Sequence, residues 1–62
     1  MLSVGSVVKL TRGGPEMRIE AINQLWDGST EAMCCWTDRT KSRPAEHRTW
    51  FATKYLEVVP RR

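Results

Sequence analysis

Few residues of this chain are of types that carry reactive chemistry, and their spacing works against most of it. Nucleophilic catalysis needs a thiol or hydroxyl beside a base that is itself oriented. The thiols are Cys34 and Cys35, and His47 is the only histidine. Neighbouring residues of a strand point to opposite faces. One cysteine therefore belongs in the core, and we assign that place to Cys34, with Cys35 on the other face. Adjacent cysteines are poorly placed to bridge each other, because a disulfide needs separated Cα atoms and converging Cβ vectors. With no CxxC pair and a single histidine, no metal site and no cofactor is expected. The carboxylates Glu16, Glu20, Asp27, Glu31, Asp38, Glu46 and Glu57 are scattered over turns and outward strand positions, and read as surface charge rather than an acid–base pair. Gly13-Gly14 is followed by no helix whose N-terminus could hold a phosphate, so it reads as a hairpin turn. No catalytic residue is assigned, and the chain is expected not to be an enzyme.

The basic and aromatic residues are more informative. Between positions 39 and 54 the chain carries Arg39, Lys41, Arg43, Arg48 and Lys54 against Glu46 alone, with Trp50 and Tyr55 among or beside them. Cations interleaved with rings can follow a phosphate backbone while the rings stack on bases. The plainer reading is solvated loop charge beside core aromatics. The same cations, multiplied by the symmetry of an oligomer, could hold a small anion such as a nucleotide between subunits. The three tryptophans are many for so small a chain to hide. Trp36 and Trp50 stand on strands, and Trp26 stands in a loop. An exposed apolar patch marks an interface, and tryptophan is a frequent anchor.

The elements that must position these residues are short strands. Val7, Val8 and Leu10 form the first, with Lys9 toward water. The turn Thr11-Arg12-Gly13-Gly14-Pro15 follows, where paired glycines supply positive φ and Pro15 ends the reversal. Met17, Ile19 and Ala21 then alternate with Arg18, Glu20 and Ile22, a period of two that marks a half-buried strand. Residues 23–30 form a loop around Asp27-Gly28. Residues 31–38 form a third strand, with Ala32, Cys34 and Trp36 on one face and Met33, Cys35 and Thr37 on the other. Residues 38–45 form a basic connection, 47–52 a fourth strand, 53–56 one tight helical turn and 57–59 a last strand. Strands with turn signals at short spacing point to an all-β barrel. The helical turn before the last strand narrows this to a small five-stranded SH3-like barrel, one domain over residues 1–62.

A 62-residue chain buries a modest core, and domains of this size commonly gain stability from disulfides, metals or oligomerisation. With the first two set aside, self-association is the expected source. No membrane-spanning or signal segment is read, and free cysteines fit a reducing cytoplasm. The net charge of +3 permits a nucleic-acid partner without requiring one.

The pattern Gly5-x-Val7-Val8-x-Leu10-x-x-Gly13-Gly14-Pro15-x-Met17-x-Ile19, with Cys34-Cys35-Trp36 in the third strand and Phe51 and Leu56 near the end, resembles the YodC-like family of small bacterial proteins. The chain departs from it at Ser6, where the family usually has an acidic residue, and in a longer, more basic segment at 38–48. The resemblance implies a small β domain of bacterial or phage type without known catalytic residues, with Trp36 and Phe51 in its core, which leaves neighbouring Trp50 pointing outward beside Met33 and Cys35. The opening glycine and valine spacing is also similar to the plasmid-borne type of dihydrofolate reductase. That enzyme's Val-Gln-Ile-Tyr pore strand is Arg48-Thr49-Trp50-Phe51 here, so none of its roles is carried over.

The expected function is therefore a cytoplasmic, non-enzymatic binding module. It would act through protein association, either with itself or on a larger complex, through Trp50, Met33, Cys35 and Trp26. Nucleic-acid or anion binding through Arg39, Lys41, Arg43, Arg48 and Lys54 is the alternative.

Overall fold

Between the first two strands the backbone makes a turn that only glycine follows without strain. Gly13 and Gly14 have φ of +97° and +132°. The Gly13 N–H donates to the Leu10 carbonyl at 2.8 Å, which closes the turn. The computed structural model describes residues 2–39 and 42–60. The strands are β1 (Val7–Leu10), β2 (Met17–Gln24), β3 (Thr30–Asp38), β4 (Ala45–Ala52) and β5 (Leu56–Val58), with one 3₁₀ turn at Thr53–Tyr55. They form a single antiparallel sheet in the order β4-β3-β2-β1-β5. This is the expected all-β, SH3-like arrangement, with the short turn in the expected place before the last strand. One expectation is corrected: the barrel is not closed by a ladder between β4 and β5, and the sheet keeps two edges.

The core follows from the alternation. Val8, Met17, Ile19, Ala32, Cys34 and Leu56 are buried, and Leu2, Leu10, Trp36 and Phe51 pack around them. Cys34 is fully enclosed, as expected. Trp36 and Phe51, expected inside, are only half-buried, because β4 is an edge and no strand among the described residues pairs beyond it. No polar or charged residue is buried among the described residues.

The second strand departs from strict alternation. Ile19 pairs with Cys34, and Ala21 pairs with Met33, so the ladder shifts between them and Glu20 is the extra residue of a β-bulge. A bulge re-aims the side chains that follow it. Ala21, expected inside, therefore lies opposite outward-facing Met33. Ile22 lies opposite buried Ala32 in the register but stays exposed, as expected. The strand also continues to Gln24, so the loop expected at 23–30 is reduced to the turn at 25–29. There the Ser29 N–H and hydroxyl both donate to Asp27 Oδ1, at 3.0 and 2.6 Å. These bonds favour the charged carboxylate and hold Asp27 below the usual range.

Candidate interaction surface

Alternation along β3 sends Met33, Cys35 and Thr37 to the face opposite the core. The β3–β4 register then sets Trp50 opposite Met33, Arg48 opposite Cys35 and Glu46 opposite Thr37. On the other side of β3, Ala21 lies opposite Met33 and Arg18 opposite Cys35. The outer face thus carries an apolar row, Ala21-Met33-Trp50, beside a charged row. Three of the four expected interface residues (Met33, Cys35 and Trp50) share this face, and Trp50 is 44% exposed.

The charged row is held by the bulge. Glu20 reaches across β3 to Arg48, with Oε1 2.9 Å from Nε. Arg48 also donates through a terminal guanidinium nitrogen to Glu46 at 3.1 Å. Cys35 lies between these groups. Burial pushes its thiol up, and the Glu20 carboxylate adds to this by its charge and by accepting the thiol's hydrogen bond. Cys34 is also raised, first by burial and then by Cys35.

Trp26, the fourth expected interface residue, is 97% exposed in the β2–β3 turn and does not cover the sheet. That turn packs beside the 3₁₀ turn, where the hydroxyls of Thr30 and Thr53 lie 2.6 Å apart. Trp26 and Trp50 therefore belong to the same end of the sheet, since Glu31 pairs with Ala52.

The cations are not gathered. Arg39 and Arg43 are exposed at the β3–β4 end, and Lys41 lies outside the described residues. Arg48 is occupied by two carboxylates, and Lys54 sits 5.1 Å above the Tyr55 ring. Arg43 precedes β4 and Lys54 follows it, and an eight-residue strand at about 3.3 Å per residue puts about 25 Å between them.

His47 is set opposite Trp36, on the other face of the sheet from Cys35, so the two do not form a thiol–base pair. Its ring stacks on Trp36 at 5.4 Å with a 28° tilt, and Nε2 is 4.0 Å from Asp38 Oδ2. Among the described residues no group of three His, Cys, Asp or Glu side chains is placed to hold a metal ion. No helix among the described residues is long and apolar enough to cross a membrane.

Sequence reasoning missed the bulge and what it organises. The signal was present in Ala21-Ile22, two consecutive apolar residues where alternation predicts one. It also left His47 as a solvated side chain, because the stack on Trp36 depends on the register between β3 and β4.

No family model, no curated protein and no solved structure matches this chain.

Proposed function

We propose that this chain is a non-enzymatic binding module that works by protein association through the outer face of β3 and β4. The observation that carries this reading is the row Ala21-Met33-Trp50, with its tryptophan 44% exposed beside a charged row already satisfied internally by Glu20, Arg48 and Glu46. An apolar row flanked by compensated charge can be covered without stranding an unpaired ion, which is the usual anatomy of an interface core and rim. The row is small, as expected of a modest interface, and Trp26 adds a second exposed ring at the same end of the sheet. The resemblance to the YodC-like family agrees with a small β domain of this kind.

The alternatives of nucleic-acid binding, or of an anion held between subunits, rest on Arg39, Lys41, Arg43, Arg48 and Lys54. They draw less support, since Arg48 is engaged by two carboxylates and Lys54 stands at the far end of β4 from Arg43. The deciding experiment is the association constant of the purified chain and of Trp50→Arg, by light scattering or sedimentation across a concentration series. Weakened association in the variant is expected. Equal association, or none in either protein and no partner contact that depends on Trp50, would overturn the reading.

A further inference from the structure

The two edges of the sheet differ in how they are protected. β5 is three residues long, and Pro60 follows soon after it. β4 has eight residues, Ala45–Ala52, with no proline, glycine or lysine among them. Its ladder with β3 runs without a shift from Glu31↔Ala52 to Asp38↔Ala45, so no bulge twists it away. No strand among the described residues pairs with its other side. Natural sheets usually blunt such an edge by shortness, proline, charged side chains (lysine above all) or a bulge. Of these devices β4 carries only the charges Glu46 and Arg48, which pair with each other.

The side chains of β4 say what could pair there. When two copies of one strand meet antiparallel about a two-fold axis, opposed residues must present their main-chain groups in the same direction. The axis therefore passes through a residue facing its own copy. Two positions give the longest overlap. An axis at Arg48 sets two guanidinium groups opposite each other, which is destabilising. An axis at Thr49 sets Thr49 against Thr49 and each Arg48 against the partner's Trp50. It also sets each His47 against the partner's Phe51, and Glu46 against the partner's Ala52. Threonine pairs and aromatic pairs are favourable across strands, and a guanidinium over an indole is an attractive cation–π contact. An axis at His47 leaves Trp50 opposite Pro44, outside the strand. An axis at Trp50 shortens the overlap and sets Arg48 against Ala52.

We propose that a second copy of this chain adds its β4 to this edge, antiparallel about a two-fold axis at Thr49, so that one sheet runs through both subunits. Strand addition supplies main-chain hydrogen bonds for affinity, and the side-chain pairs supply register. The proposal deepens the association reading above by naming the partner, and its geometry brings Trp50 against a partner cation.

The test is disulfide trapping in the full chain with Cys34→Ala and Cys35→Ser, which removes both native thiols, because Cys34 lies opposite position 49 within the chain and would compete for the bond. In this register the Cβ atoms at position 49 face each other at about 4.5–5.5 Å, close to what a disulfide needs, while those at position 47 are four residues out of step. Under mild oxidation Thr49→Cys is expected to give a covalent dimer and His47→Cys to stay monomeric. Trapping at 47 or 48 in place of 49 overturns the register, and trapping nowhere overturns the edge dimer. Should the substituted chains fail to fold, amide exchange of the unaltered chain decides. Exchange along β4 slows with rising protein concentration if the edge pairs, and concentration-independent exchange overturns the pairing. Trapping at 49 with association indifferent to Trp50 would keep the edge dimer and remove the apolar face from it. Trp50-dependent association that refuses the Thr49 trap would keep the face and overturn this edge.

Discussion

Trp50→Arg separates what the tryptophan does within the fold from what it does between molecules. A tryptophan side chain offers at most about 250 Å², and Trp50 is 44% exposed, so about 110 Å² remains to be covered by a partner. At about 25 cal/mol per Å² that area is worth about 2.7 kcal/mol, or about 100-fold in affinity for each tryptophan covered. A two-fold dimer uses the residue twice, so complete coverage sets a ceiling of about 10,000-fold, and half coverage predicts about 100-fold. The part already covered by the chain itself, about 140 Å², sets an upper limit of about 3.5 kcal/mol on the loss of monomer stability. Arginine lowers that loss because its aliphatic stem still lies over Met33, while its charge must stay in water. It also places like charge opposite the partner's Arg48 in the Thr49 register. The assay is sedimentation equilibrium at several concentrations, paired with urea unfolding of the dilute chain to establish that the variant is folded. A folded variant whose association constant stays within about threefold of the parent, well inside the predicted change, would refute the reasoning.

Three further outcomes follow from other parts of the molecule. Gly14→Ala meets no atom within 4 Å, yet φ of +132° strains any side chain, so urea unfolding is expected to show a loss of about 1–3 kcal/mol from backbone strain alone. Trp26→Ala removes a side chain that is 97% exposed, and its unfolding free energy is expected to stay within about 0.5 kcal/mol of the parent. The thiols are held above their ordinary value of 9.0, so alkylation of Cys35 is expected to inflect above that pH and Glu20→Gln to move the inflection down. By the same linkage the thiols contribute stability that is full below pH 9.0, where the unfolded thiols are still protonated. That contribution is lost as pH rises through the folded values. An inflection below 9.0, or stability rising with pH in that window, would contradict the placement of Cys35 beside Glu20.

Much of the fold was legible because local chemistry and a period of two settle it. The Gly-Gly-Pro turn needed backbone angles that glycine alone supplies. The alternation along β3 placed Ala32 and Cys34 inside and Met33 and Cys35 outside before any partner strand was known. The tight turn before the last strand came from composition and length. These properties belong to a residue and its near neighbours, so a linear chain displays them.

Other features depend on pairing, which joins residues distant in sequence and has no linear signature. The bulge at Glu20 exists because β2 and β3 shift register between Ile19 and Ala21, and that shift set Ala21 opposite outward-facing Met33 while Ile22 stayed exposed. Only the three-strand register brought Glu20 over Cys35 to Arg48, turning a candidate phosphate-binding cation into the centre of a closed charge cluster. The same register stacked His47 on Trp36, away from Cys35, and left the outer side of β4 open. The sequence by itself determined which side chains alternate and where the chain turns. The tertiary structure decided which strands became edges and which charges became neighbours, because strand order and register are set by the packing of the whole sheet.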